Sequence, residues 1–260
     1  MNRLQGKTVL VTGASAGIGK ATARAFAALG TNLILCARRE DRLVGLKGEL
    51  EGSFGISVST HGLDVRDRAA VESFVAGLAS SGVVPDILVN NAGKALGLHF
   101  LHEGLVEDWE EMIDTNVKGL LYFSRAVIPL MVERNSGHVV NVGSVAGHQV
   151  YQKGAVYNAS KFAVKALNEG MALDLLGTNI RVSSIDPGLV ETEFSEVRFH
   201  GDTERARTVY QGYQPLMAED IAEIITFVAS RPEHVNILDL IVLPTAQRSA
   251  HMVHKESPPE

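Results

Sequence analysis

Residues 7–30, KTVLVTGASAGIGKATARAFAALG, decide the fold. An apolar run over 7–12 leads into a turn carrying Gly13, Gly17 and Gly19, and then into an amphipathic, alanine-rich helical stretch. Such a turn suits a pyrophosphate. With no Cβ in the way, backbone amides can approach the anion, and the dipole of the helix that follows favours its charge. Ser15 and Ile18 stand in the same turn. The spacing Gly-x-x-x-Gly-x-Gly is common by itself, and its place between a strand and a helix is what makes it informative.

The second strand, TNLILCARR at 31–39, ends where the adenosine ribose of a dinucleotide would lie. Units that bind NAD usually place a carboxylate there to accept from the ribose diol. Here Ala37 is followed by Arg38 and Arg39. A carboxylate would repel a 2′-phosphate, whereas a guanidinium binds it with two charge-assisted bonds. The expected cofactor is therefore NADP(H), with Arg38 the main phosphate ligand and Arg39 and Ser15 helping.

Reactive side chains stand further along. Tyr157 and Lys161 are four residues apart in YNASK, and Ser144 lies 13 residues upstream of Tyr157 in HVVNVGSVAG, which reads as a buried strand ending in small residues. Four residues is one helical turn, so phenol and ammonium share a face and the cation is expected to acidify the phenol. Poising a tyrosine near neutrality takes a depression of roughly 2–3 units from ~10, about 3–4 kcal/mol.

Taken in order, TGASAGIG at 12–19, LDV at 63–65, NNAG at 90–93, Asn116 in DTNVKG, Ser144, YNASK at 157–161 and DPG at 186–188 resemble the short-chain dehydrogenases/reductases over nearly the whole chain. The resemblance implies a single-domain Rossmann fold: α/β, a doubly wound seven-stranded parallel sheet with helices on both faces. Strands are expected near 7–12, 32–37, 56–60, 86–89, 137–143, 179–185 and 237–243, with the cofactor across their carboxyl ends. It also implies roles. Tyr157 would be the general acid/base, Lys161 would acidify it and hold the nicotinamide ribose, and Ser144 would hydrogen-bond the substrate oxygen. Asn116 would hold a relay water. Asp64 and Val65 would meet the adenine, Asn90, Ala92 and Gly93 would line the cleft, and Pro187, Gly188, Val190 and Thr192 would form the loop at the nicotinamide carboxamide.

Composition bounds this picture. At 260 residues and 45% apolar content the chain can bury one sizeable core, expected over residues 1–250, with a mobile polar tail at 251–260. A net charge of −6 offers nucleic acid no basic footprint, and no apolar run approaches membrane-spanning length. Cys36, the only cysteine, lies in the second apolar strand and reads as core packing. The first strand begins almost at once, with no signal peptide, so a cytoplasmic enzyme is expected. The nine histidines, His138, His148 and His200 among them, show no metal-ligand spacing, and no metal is expected.

The segments DPGLVETEFSEVRFHGD, YQPLMAEDIAEIITFVASRPEHV and HVNILDLIVLPTAQ, the last lacking the glycine-rich V-x-G-G of thioester-reducing relatives, resemble the branch of NADP-dependent 3-hydroxy acid dehydrogenases. That branch acts on L-allo-threonine, L-serine and the 3-hydroxypropionate/malonic semialdehyde type. The mixed-charge stretch near 190–215 is placed to cover the substrate as a lid. Arg198 or Lys153 is a candidate partner for a carboxylate, Glu191 for an ammonium, and Gln149 or Gln152 for orienting either. Rival readings are a ketone or aldehyde reductase for a sterol, terpenoid, pterin or secondary metabolite, and an NADP-binding regulatory module without turnover. A sugar-nucleotide epimerase is disfavoured by the glycine spacing. The resemblance further implies a homotetramer, with a dimer as runner-up, through the helix at 154–176 and the helical region at 105–133.

Overall fold

The structure, a computed structural model, describes residues 2–256. In chain order it runs β1 (Thr8–Thr12), α1 (Gly17–Ala28), β2 (Asn32–Ala37), α2 (Glu40–Phe54), β3 (Val58–Gly62), α3 (Arg68–Ser80), β4 (Ile87–Asn90), α4 (Val106–Ile113), α5 (Leu120–Arg134), β5 (Gly137–Val142), α6 (Ala155–Asp174) and β6 (Ile180–Pro187). The remainder is β7 (Val190–Glu191), α7 (Phe194–Arg198), α8 (Thr203–Thr208), β8 (Leu216–Met217), α9 (Ala218–Ala229) and β9 (Asp239–Val242).

Seven strands form one parallel sheet in the order β3-β2-β1-β4-β5-β6-β9. Such strands are covered on both faces and read as apolar runs, as β1 does, with Val9, Leu10 and Val11 wholly buried. Their side chains alternate. Val9 and Val11 join Phe26, Leu35, Ile221 and Ile225 under the layer that contains α1 and α9, while Leu10 joins Ile34, Leu88, Phe123 and Met131 under the layer that contains α5. Cys36 packs fully buried in this second core, and burial pushes its thiol pKa up.

Chain order reverses between β1 and β4, so the loops after these strands part and open a crevice at the carboxyl ends. Strand boundaries differ from the sequence reading by one or two residues, β3 and β6 among them. β3 begins at Val58 because Glu51 and Asn32 side chains accept the amides of Val58 and Ser57. β6 continues to Pro187, and its pairing with Val242 carries the DPG motif to the crevice rim. Beyond it, β7 pairs with β8 in parallel, closing the neck of the segment that contains α7 and α8.

Residues 251–256, part of the tail expected to be mobile, are hydrogen-bonded to the body: His254 N donates to Ala246 O, Val253 bridges Gln247, and Glu256 N donates to Gly212 O. Residues 257–260 of that tail lie outside the described residues. Among the described residues no helix is long and apolar enough to cross a membrane.

Candidate active site

The turn after β1 needs its glycines. Gly13 and Gly17 have φ of +66° and +50°, and a Cβ on Gly19 would fall 2.4 Å from the Gly13 carbonyl. Asn91 and Thr12 lock this turn to the end of β4: Asn91 Nδ2 donates to Thr12 O at 2.9 Å, and Thr12 Oγ1 accepts from the amides of Asn91 and Ala92. α1 starts with no side-chain cap and no acidic residue in its first turn, so its leading amides are left for an anion.

At the end of β2 the two arginines part company. Arg39 reaches across to Glu193, with Nη1 to Oε2 at 3.0 Å, and lies 3.4 Å from Ser15 Oγ, while Arg42 takes the other oxygen of Glu193 at 2.7 Å. Arg38 is 55% exposed in its side chain, with Glu111 at 3.8 Å as its one carboxylate partner among the described residues. Asp64, assigned to the adenine, is gripped by Arg66 through Nε at 3.0 Å and Nη2 at 2.7 Å. Glu111 also receives Lys94 and, at 3.3 Å, Arg66, a cationic cluster that no local motif announced.

These elements enclose a cleft of about 410 Å³. Gly13, Ser15, Gly17, Ile18, Arg38, Arg39, Asp64, Val65, Ala92, Gly93, Ser144, Tyr157, Lys161, Pro187, Gly188, Val190 and Thr192 all line it. Gly19, Asn90 and Asn116 do not. Asn90 faces the interior, its Nδ2 donating to Ser124 Oγ and Asn141 Oδ1 at 3.0 Å each, so the lining role expected of it belongs to Asn91. Asn141 in turn donates to Asn168, making a buried chain of amides that ties β4, β5 and α6 together. Asn116 lies in a single π-helical turn, Asp114–Gly119, where it accepts from Lys94 N and donates to Lys94 O and Ser160 Oγ. Its side chain thus braces the loop after β4 against α6.

Tyr157 and Lys161 lie on α6, both buried, and Ser144 follows β5. Lys161 Nζ donates to Val142 O at 2.9 Å and stands 6.0 Å from the centre of the Tyr157 ring. Burial pushes the lysine pKa down to about 8, against the pull of Asp186. The phenol pKa is raised, chiefly by burial and next by Tyr151, with Asp186 adding to this, while the Ser144 hydroxyl and Arg198 oppose it. The expectation that Lys161 holds the phenol low is not met in the protein alone: burial dominates both groups, and the charges that act on the phenol are those of Tyr151, Arg198 and Asp186.

Over Tyr157 stand Phe194, edge-on at 5.8 Å, and the Arg198 guanidinium, 5.5 Å from the ring centre. Arg198 bonds the Tyr151 hydroxyl and Gly97 O and has no carboxylate partner among the described residues. Of the five residues suggested for substrate recognition, Arg198 is the one that lines the cleft. Lys153 lies on the Phe100 ring at 4.6 Å, Gln149 is taken by the Ala250 amide, and Gln152 and Glu191 are exposed outside the cleft. Gln247, which sequence reasoning missed, lines the cleft and accepts from Leu189 N at 2.9 Å. Its partner lies 58 residues away, and no local pattern marks it.

Among the histidines, His138 is buried against Ser183 Oγ and His200 meets Asp108 at 3.1 Å. His148 bonds Asp186, the first residue of DPG.

Comparison with known proteins agrees with this arrangement. The profile of the family described as short chain dehydrogenase matches residues 7–202. An NADP-dependent 3-hydroxy acid dehydrogenase of Salmonella typhi is 50% identical over 249 residues, 95% of this chain and 99% of that one. A protein of the same description from Schizosaccharomyces pombe is 42% identical, covering 98% and 99% of the two chains. A solved structure described as the closed form of serine dehydrogenase complexed with NADP+ superposes with a TM-score of 0.89 at 47% identity, over 96% of this chain and all of that one. With glycine turn, tyrosine, lysine and serine gathered in one cleft of a seven-stranded parallel sheet, the chain belongs to the short-chain dehydrogenase family.

Proposed function

We propose that the protein is an NADP-dependent oxidoreductase that interconverts a small 3-hydroxy acid, of the L-allo-threonine, L-serine or 3-hydroxypropionate type, with its 3-oxo acid. The observation that carries this reading is Arg198: a guanidinium with no carboxylate partner among the described residues, in the cleft and against the ring of Tyr157. A cation there suits a carboxylate two bonds beyond the carbinol carbon, and an apolar ketone would leave it desolvated without a counter-charge. The relatives named for 3-hydroxy acids and serine support the same substrate class.

The residues fit NADP. The glycine turn and uncapped start of α1 suit the pyrophosphate, Arg38 is free to turn to a 2′-phosphate, and Pro187, Gly188 and Thr192, which line the cleft, would border the nicotinamide end. When bound, NADP supplies the hydride acceptor or donor. The chain handles the proton. Tyr157 exchanges it with the substrate oxygen, Ser144 Oγ steadies alkoxide character on that oxygen, and Lys161 supplies positive charge within one helical turn. A 2-amino-3-oxo acid formed from threonine or serine is a β-keto acid and loses carbon dioxide without further help.

Rates with NADP and with NAD for a set of 3-hydroxy acids and simple secondary alcohols test the assignment. Arg198→Met should raise KM for a 3-hydroxy acid by about 10–100-fold, the worth of a charge-assisted bond, and leave simple alcohols nearly unchanged. Equal losses for both classes, or a preference for apolar ketones in the wild type, would transfer the protein to the ketone reductases.

The assembly we propose is a homotetramer. α5 leaves Leu121 and Val132 exposed and α6 leaves Phe162 and Leu173 exposed, the last at 74%. Light scattering of the eluting peak in size-exclusion chromatography should return four times the chain mass; a monomer at micromolar concentration refutes it.

A further inference from the structure

Behind Ser144, a carboxylate is packed against the backbone of the catalytic strand end. Asp186 Oδ1 accepts from the Ser144 amide at 3.0 Å and from Ser184 Oγ at 2.8 Å, and its Oδ2 meets His148 Nε2 at 2.9 Å. His148 Nε2 lies 3.7 Å from Asp239 Oδ2 on β9. From inside to outside the three side chains are 3%, 12% and 34% exposed, so the row runs from the catalytic serine toward the surface. Gly143 makes the approach possible: a Cβ there would fall 1.7 Å from Asp186 Oδ1. The proton exchange described above uses none of these groups.

A buried carboxylate in this place acts on its neighbours. Burial pushes the Asp186 pKa up to about 6, the Asp239 carboxylate, to which a protonated Asp186 would donate, adds to that, and His148 and Ser184 hold it down. Its field reaches α6, where it favours the charged form of Lys161 and the neutral form of Tyr157. The titratable groups facing Asp186 are His148 and Asp239, with Tyr157 and Lys161 across the strand end; those facing Tyr157 are Tyr151, Arg198, Lys161 and Asp186.

We propose that Asp186, held by His148 and backed by Asp239, is a positioning residue of this site: it fixes Ser144 through its amide and governs the proton exchange of Tyr157 through its charge. The inference rests on Tyr157 being the general acid/base. The sign follows from electrostatics. A negative charge beside a phenol keeps it protonated, so removing the charge lets it ionise at lower pH.

Asp186→Asn preserves the shape, and its carbonyl can still accept from Ser144 and Ser184. In that variant the acid limb of kcat/KM for 3-hydroxy acid oxidation should move down by about one pH unit, with NADPH affinity, read by fluorescence, within about 3-fold of wild type. His148→Phe, which removes the donor that favours the ionised carboxylate, should move the limb the same way by less, and His148→Gln, whose amide donates to the same oxygen, should restore it. If Asp186→Asn fails to fold, the two His148 variants carry the test. A limb that stays in place in every variant that still binds NADPH overturns the proposal, because a purely structural carboxylate would lower rates evenly across pH. Tyr157→Phe separates the two failures: full activity there removes the acid/base reading itself, whereas an inactive Tyr157→Phe with an unmoved limb removes only the role of Asp186.

Discussion

Tyr157→Phe is expected to lower turnover by ~10²-fold or more in both directions while NADP still binds. The substitution keeps the ring, its edge contact with Phe194 at 5.8 Å and its place in the wall of the cleft, and removes the one oxygen that can exchange a proton with the substrate. The size of the effect follows from the environment. The side chain is buried, which raises its pKa, and it holds the one phenol oxygen hydrogen-bonded to Ser144 in the cleft. Ser144 remains and can still polarise the substrate oxygen, which is why residual activity is expected rather than none. Steady-state rates with saturating cofactor, together with NADPH fluorescence to show binding intact, measure it. Wild-type turnover in the phenylalanine variant would remove the base from the mechanism.

Arg38→Asp carries the second large effect. Arg39 and Arg42 are both drawn to Glu193, whereas Arg38 has only the more distant carboxylate of Glu111, so it alone of the three can swing to a phosphate without breaking a close pair. The substitution removes a fork-shaped donor and puts a like charge where the 2′-phosphate would sit, beside a region that already holds Asp64 and Glu111. The expected loss in NADP affinity is about 10²–10³-fold, with NAD changed far less because its free 2′-hydroxyl can donate to the new carboxylate. Titrations of both reduced cofactors read this directly. The same ratio of affinities before and after would reject Arg38 as the phosphate ligand.

The parts of the site legible in the sequence are those in which one short segment contains its own geometry. The turn at 12–19 needs glycines at positions where a Cβ would strike the neighbouring backbone, and the four-residue step from Tyr157 to Lys161 is helix periodicity. Where neighbours come from different strands, the reading fell short. Asn90 and Asn91 are adjacent and alike, but strand alternation sends the first into the core and leaves the second to hold the turn, and one residue of register decides which is which. The pairing of Glu193 with Arg39 spans 154 positions. Burial is the other limit: the spacing of tyrosine and lysine puts them on one helix face, while the desolvation that governs both comes from side chains far away in the chain.

The hold of Gln247 on Leu189 ties the wall of the pocket to a residue beyond the last strand of the sheet. The floor, the phosphate turn and all the reactive side chains are encoded before residue 200, yet the loop bearing Gly188 depends on an amide supplied some sixty positions later, and Gly188 is bare of a side chain because that amide needs the room. During synthesis the nascent chain is therefore expected to carry its reactive residues before that wall is in place, with docking of the final stretch completing it. A chain cut short of that glutamine would keep every residue that reacts and lose the wall against which they work.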